Sequence, residues 1–281
     1  MGATRRGRLG VGWWSVVGRA KRPGPRSLEA LRWLARVELA GVEPWGLAMG
    51  FGRRATYSHV ERLQAAGLAV RLYDREGSVV AITAAGRRRV AAEGGEPRLR
   101  VLRGVGLRHA RAASWVAALL TVRGRTWLSE RELRNRPDWL VPVLWTNSSG
   151  THRPDAGAEV GGRRVAVEVE LSHKAPRRLR AILAGYEALI ADGTLDGGVL
   201  YVSDRDDVLR CVTRAAQRVG VPAGAFRTRT LGQVQDDLRS IATAATGGSL
   251  TGRAAPLVGR PGEAEMKLSE KLVEASEELA T

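Results

Sequence analysis

Residues 163–171 read Arg-Arg-Val-Ala-Val-Glu-Val-Glu-Leu, a stretch whose apolar residues recur at every second position. This period is typical of a β-strand, in which successive side chains point to opposite faces. The three valines and the final leucine share one face, while Ala166, Glu168 and Glu170 share the other. Two neighbouring carboxylates on an otherwise apolar strand are costly to bury unless a cation or hydrogen-bond donors lie between them. The stretch therefore predicts a strand that carries a polar site.

A third carboxylate, Asp155, ends the tetrapeptide His-Arg-Pro-Asp and lies 13 residues before Glu168. Gly161-Gly162 reads as a tight hairpin turn, which would bring Asp155 back beside Glu168 and Glu170. Three carboxylates at one place form a hard-oxygen site of the kind that Mg²⁺ or Mn²⁺ uses. A divalent metal held against a phosphate is the chemistry that this spacing predicts.

Lysine is rare in this arginine-rich chain, and Lys174 is the only one between Lys21 and Lys267. It follows Glu170 by four residues, so it would lie near the carboxylates. An ammonium on a flexible stem differs from a guanidinium in reach and in titratability, so the choice of lysine here can be chemical. Placement by chance is the alternative interpretation.

Composition narrows the class of partner. The net charge is +16, which favours a polyanion such as nucleic acid, although a GC-rich genome also enriches arginine. A single cysteine, Cys211, excludes an internal disulfide and a cysteine-based metal site, and we expect a reducing cytoplasm. No apolar run reaches the length of a membrane span, so we expect no membrane association.

Charge is distributed unevenly at the two ends of the chain. Residues 1–26 carry seven basic side chains and no acidic one, which predicts a disordered basic arm. Residues 242–281 predict a flexible linker followed by an acidic amphipathic helix over Glu263–Leu279. That helix would cover a basic groove, bind a partner, or simply remain solvated on the surface.

Residues 27–94 predict three helices, a hairpin and a last helix. Ser27 would cap a first helix that runs to Gly41, and Thr83 would cap the last one. This order is that of a winged helix-turn-helix, and residues 63–89 resemble the end of bacterial winged-helix repressors. Its third helix would enter a DNA major groove, with protein contacts as the alternative use. The expected DNA-binding side chains on that helix and on the wing are Arg53, Arg54, Thr56, Tyr57, Ser58, Arg62, Arg71 and Arg75.

Residues 105–241 predict a second domain of alternating elements. A helix spans residues 108–122, another begins within Trp127–Leu133, and three strands follow over 141–145, 153–160 and 163–171. Further elements are expected at 176–191 (helix), 198–203 (strand), 206–219 (helix) and 225–230 (strand). This order resembles the PD-(D/E)XK nuclease-like fold. The expected architecture is thus a multidomain α/β protein, with a winged helix-turn-helix before a restriction-endonuclease-like αβββαβ domain.

That resemblance implies roles for four residues. By position in the family's motif, Asp155 and Glu168 would hold the metal. The family's lysine falls where this chain has Glu170, and Lys174 would take its place. A glutamate of the first helix joins the site in some branches, and Glu130 or Glu132 would serve here.

The whole chain resembles the replication-relaxation (MobC-like) proteins of actinobacterial plasmids and integrative elements. The matching features are the winged helix and the motifs Leu107-Arg108-His109, Trp127–Leu133, Arg153-Pro154-Asp155, Val167–Ser172 and Tyr186. The resemblance implies a DNA-binding accessory of plasmid replication or mobilisation. Its expected partners are double-stranded DNA and, as candidates, a relaxase, a replication protein or a second copy of the chain.

Three functions remain open on the sequence. The first is a DNA-binding accessory or regulatory protein of a mobile element, whose second domain supports binding without cleavage. The second is a metal-dependent endonuclease or nickase that uses Asp155, Glu168, Glu170 and Lys174. The third is a transcriptional regulator with a non-catalytic second domain. In a non-catalytic protein the carboxylates would be structural, bridged to Arg163, Arg164 or Arg177.

Overall fold

The computed structural model describes residues 23–74, 77–92, 105–145 and 148–247, and these form a mixed α/β protein. Residues 1–22 of the predicted basic arm (residues 1–26), Arg75 and the acidic helix predicted over Glu263–Leu279 lie outside the described residues. The described part up to residue 242 is one compact unit. Within the described ranges, no helix is both long and apolar enough to cross a lipid bilayer.

The N-terminal half is a small helical body with a three-stranded antiparallel sheet of order β1-β3-β2. Strands β2 and β3 form the predicted hairpin, and the Thr83 side chain caps the last helix by accepting from the Gly86 amide, as predicted. Helix α3 buries Val60 and Leu63 on its inner face. The elements are α1 (Pro25–Val37), β1 (Leu39–Gly41), α2 (Val42–Ala48), α3 (Arg53–Ala65), β2 (Ala69–Asp74), β3 (Gly77–Ile82) and α4 (Ala84–Ala91).

The first helix differs from its prediction at both ends. It begins at Pro25, which suits the first turn, and Ser27 is buried and bonded to His59 Nδ1 at 2.9 Å instead of capping. It ends at Val37 because Glu38 has a φ of 66°, outside the helical region. The next three residues pair with β3 as a strand, so the predicted extension to Gly41 is wrong. A pairing with a strand 40 residues away overrides the local helical pattern.

The C-terminal half is built on a five-stranded sheet of order β10-β9-β8-β7-β4, in which β8, β9 and β10 are parallel. Helices α6 and α7 have the predicted bounds, and the last two strands lie where expected. The elements are α5 (Val105–Val122), β4 (Thr126–Ser129), β5 (Val141–Trp145), β6 (Ser148–His152), β7 (Ala156–Val160), β8 (Arg163–Val169), α6 (Pro176–Ala191), β9 (Val199–Ser203), α7 (Asp206–Val219), β10 (Phe226–Thr230) and α8 (Leu231–Gly247).

Three predictions in this half are wrong. The segment Trp127–Leu133 is not a helix start but strand β4 and the beginning of a short 3-10 turn at Glu132–Asn135. Strand β5 does not join the main sheet; it pairs with β6 in a separate two-stranded ribbon. Residues 242–247 continue helix α8 and are therefore not a flexible linker.

Strand β8 separates two hydrophobic clusters. Val165, Val167 and Val169 pack in a cluster shared with α5 and the N-terminal half, whereas Ala166 packs with α6 and α7. The predicted alternation of β8 is therefore confirmed. The N-terminal half packs directly on α5, where Trp33 Nε1 donates to Thr121 Oγ1 at 2.9 Å.

Candidate functional site

The β7–β8 hairpin brings Asp155 to β8, as the sequence predicts. Gly161 and Gly162 form its turn with φ angles of 60° and 77°, a left-handed conformation that favours glycine. The hairpin places Asp155, just before β7, next to the end of β8. Its Oδ2 accepts a hydrogen bond from the Val169 backbone amide at 2.7 Å. Asp155 therefore lies beside the strand that carries Glu168.

Glu168 is almost completely buried, with 2% of its surface exposed, and side-chain donors surround it. His152 Nε2, at the end of β6, lies 2.6 Å from Glu168 Oε1. The hydroxyl of Tyr186, on α6, donates to the same oxygen. Burial and the nearby Glu168 charge raise the pKa of Tyr186 well above its ordinary value, so this hydroxyl keeps its proton. Glu168 is thus held by hydrogen bonds within the protein.

Asp155 and Glu170 also have partners within the chain. His109 Nε2, on α5, lies 3.2 Å from Asp155 Oδ2, and this hydrogen bond is the largest cause of the raised pKa of His109. The Lys174 ammonium forms an ion pair with the buried carboxylate of Glu170. Burial lowers the pKa of Lys174, and the negative charges of Glu168 and Asp155 oppose that effect. The structure therefore brings all four predicted site residues into one neighbourhood.

This neighbourhood, the carboxylate cluster, does not fit a divalent metal as arranged. Mg²⁺ and Mn²⁺ need several free oxygen ligands around one point. In the described part of the chain, no group of three or more histidine, cysteine, aspartate or glutamate side chains is placed to hold a metal. The three carboxylates face two histidines, a tyrosine hydroxyl and a lysine ammonium instead. We therefore derive no metal-dependent step for this site.

The other predicted members of the cluster are used elsewhere. Glu132 pairs with Arg36 of α1 at 2.9 Å and accepts from the Ser129 amide. Glu130 lies 3.9 Å from Arg153. Arg164, an expected bridging partner, pairs with Asp138 instead. The sequence alone did not assign His109, His152 and Tyr186 to this cluster. The available signal was that each belongs to one of the motifs named with Asp155 and Glu168.

A second candidate site is a basic groove at the start of α3. It is open, has a volume of about 590 Å³, and contains three of the predicted DNA-binding arginines. No side chain caps this helix, so its first backbone amides have no side-chain acceptor at the cap position. The lining residues are Gly52, Arg53, Arg54, Ala55, Ser58, His59 and Arg62.

Charge in this α3 groove is strongly positive. Arg53, Arg54 and Arg62 are exposed, and Arg62 Nη2 donates to Ser58 Oγ at 2.9 Å. His59 stacks on Phe51 with ring centroids 4.1 Å apart. Burial, and then the charges of Arg62 and Arg26, lower the pKa of His59. The groove combines guanidinium groups with a helix N-terminus, which is the arrangement that attracts a phosphate.

Three other predicted DNA-binding residues, Thr56, Tyr57 and Arg71, do not line the α3 groove. Thr56 is buried, with 4% exposed, and its hydroxyl donates to the Gly52 carbonyl at 3.1 Å. Its methyl and hydroxyl pack against Gly46, so the expectation that Thr56 is exposed is wrong. Tyr57 is half-buried, and the Arg71 guanidinium lies 4.6 Å from its ring centroid. Arg71 also donates to Ser78 Oγ at 2.9 Å and therefore stabilises the hairpin.

No protein-family model matches the chain, and no curated protein matches it significantly. Among solved structures, the chain is similar to protein VC1899 from Vibrio cholerae, with 12% sequence identity and a TM-score of 0.33. The match covers 80% of this chain, and the chain spans 57% of the length of that protein. A likeness this weak carries no functional argument.

Proposed function

We propose that this protein binds duplex DNA as a winged helix-turn-helix, with α3 in the major groove and the β2–β3 hairpin beside it. The observation that carries the proposal is the α3 groove, where Arg53, Arg54 and Arg62 surround an uncapped helix start. Arginines there would neutralise phosphates, and those nearest the base edges would read guanine. The net charge of +16 supports a polyanionic partner.

The order α1, β1, α2, α3, β2, β3, α4 supports the winged-helix interpretation. Two helices of 13 residues, α1 and α3, with the 7-residue α2 between them, precede an antiparallel hairpin, and β1 pairs with β3 as the third strand. Helix α3 buries Val60 and Leu63 and exposes Arg54 and Arg62 on the side away from them, while Arg53 is exposed at the start of the helix. A helix that is anchored on one face and basic on the other is suited to lie in a groove of DNA.

For the C-terminal half we propose a nuclease-like scaffold that supports DNA binding without cleavage. The hairpin with Asp155, the strand with Glu168 and the parallel strands that follow support the nuclease-like interpretation. The internal partners of the three carboxylates argue against a working metal site. On this account the protein is an accessory or regulatory factor of a mobile element, such as a plasmid, or of transcription.

The experiment uses supercoiled plasmid with Mg²⁺ or Mn²⁺, read for both retardation and nicking. We expect retardation by the wild type without metal-dependent nicks. The double variant Arg53→Ser/Arg54→Ser should lose most of the retardation. Its matched control is Arg210→Ser/Arg214→Ser, which removes two exposed arginines of α7 and should retard the plasmid like the wild type.

Two outcomes of this experiment would count against the proposal. Equal retardation by both double variants would remove α3 from the DNA interface. Nicking by the wild type that an Asp155→Ala/Glu168→Ala variant lacks would establish the endonuclease alternative instead. In that case the cluster would have to rearrange around a metal.

A further inference from the structure

A cavity of about 400 Å³ lies at the carboxyl ends of the three parallel strands. Leu171 follows β8, Asp204 follows β9 and Leu231 follows β10, and all three line the cavity. Ligands of open α/β sheets bind outside these carboxyl ends, because the loops there form a crevice. The volume is within the range of small-molecule sites. Neither the carboxylate cluster nor the α3 groove shares a lining residue with this cavity.

The N-terminal half forms another part of the lining. Residues 41–44, at the start of α2, and Tyr57 of α3 belong to it. Gly77 and Ser78, at the start of β3, complete this part. Helix α5 contributes Trp115 between the two halves. A molecule bound here would therefore contact the sheet, α3 and the hairpin at once.

The charged side chains of the lining carry a net positive charge. Three are arginines, against the two carboxylates of Glu43 and Asp204. Arg108 pairs with Asp204, and Arg239 Nε lies 2.8 Å from Glu43 Oε1. Arg111 is buried and donates to the Gly77 carbonyl at 3.2 Å. An anion inside the cavity would lie among three guanidinium groups that outnumber the acids.

The cavity also offers flat surfaces. The Arg239 guanidinium lies 5.1 Å from the ring centroid of Trp115, and Tyr57 also lines the cavity. Aromatic rings and guanidinium planes both stack on planar heterocycles. Gln235 of α8 supplies an amide that can donate and accept at a ring edge.

We infer that this cavity is a binding site for a small planar anion, namely a mononucleotide, whose phosphate meets the arginines and whose base lies between Trp115–Arg239 and Tyr57. The site shares no lining residue with the α3 groove that carries the DNA-binding proposal. Its test needs no DNA, so the two proposals stand or fall independently.

The test is isothermal titration of the full chain with AMP, GMP, CMP and UMP. Adenosine and inorganic phosphate serve as probes of the ring alone and of the anion alone. We expect saturable binding of at least one mononucleotide, tighter than that of either part. Arg239→Ser should weaken binding about tenfold to a hundredfold, since it removes a charged hydrogen-bond donor. Gln235→Trp should weaken it, because the larger indole would occupy part of the cavity.

Arg210→Ser is the matched control, because it removes an exposed arginine of α7 that does not line the cavity. Thermal melting must show that each variant is folded. The inference is overturned if no mononucleotide binds saturably up to millimolar concentration. It is equally overturned if folded Gln235→Trp binds as tightly as the wild type, or if adenosine or phosphate alone binds as tightly as the mononucleotide.

Discussion

Removing the Tyr186 hydroxyl is the sharpest perturbation of the carboxylate cluster. In Tyr186→Phe the ring stays in place, because it is fully buried and packs edge-on against Tyr201 at 6.5 Å. What is lost is the hydrogen bond to Glu168, whose carboxylate is 2% exposed and so cannot recruit water readily. A hydrogen bond to a charged group contributes about 1.5–3 kcal/mol. We expect the free energy of unfolding to fall by that amount.

The assay is urea unfolding, with the slope against denaturant unchanged and the midpoint lowered. Tyr201→Phe is the matched control, because that ring is equally buried and, in the described structure, makes no hydrogen bond to Glu168. We expect the control substitution to lower the free energy of unfolding by less than about 1 kcal/mol. Equal losses of unfolding free energy in the two variants would refute the reasoning, because the Tyr186–Glu168 hydrogen bond would then contribute nothing to stability. A gain of stability in Tyr186→Phe would refute it more strongly.

Three further predictions concern stability. Mg²⁺ at matched ionic strength should leave the unfolding free energy unchanged, whereas a metal site at hundredfold excess over its dissociation constant would add about 2.7 kcal/mol. Arg87→Leu should lose about 3–5 kcal/mol in urea unfolding, because it leaves the Glu38 carboxylate without its buried ion-pair partner, while Arg88→Leu at the surface should change little. The raised pKa of His109 means that its bond to Asp155 stabilises the fold fully below pH 6.5 and loses this effect as pH rises through the folded-state pKa. The stability difference between wild type and His109→Asn should therefore shrink towards alkaline pH, and a difference that grows would contradict the assignment.

Local patterns predicted the elements whose form depends on neighbouring residues. Strand β8 alternates over its own nine-residue stretch, and its hairpin needs only two glycines in a left-handed conformation. Helices α6 and α7 were predicted with their observed bounds, since each has a clear apolar stripe. Elements that depend on a distant partner were predicted less well. Strand β1 exists because β3 pairs with it, and β5 follows the period of a strand without revealing that its partner is β6.

The candidate site shows the same limit. The spacing of Asp155, Glu168 and Lys174 predicted that they meet, because one hairpin and one short loop join them. Their partners His109 and Tyr186 come from α5 and α6, and nothing local to those residues points at the carboxylates. The sequence predicted that these charged side chains lie together, but not which partners neutralise the carboxylates. That neutralisation decides between a metal site and a structural one.

The salt dependence of DNA binding tests most directly whether α3 lies at the DNA interface. Fluorescence anisotropy would measure the affinity for a labelled duplex at several salt concentrations, for the wild type and for Arg53→Ser/Arg54→Ser. Each phosphate contact contributes about 0.9 to the slope of log affinity against log salt, so losing two contacts should lower it by about 1.8. The Arg210→Ser/Arg214→Ser control should keep the wild-type slope. An unchanged slope in the α3 variant, or no binding by the wild type at low salt, would contradict the account.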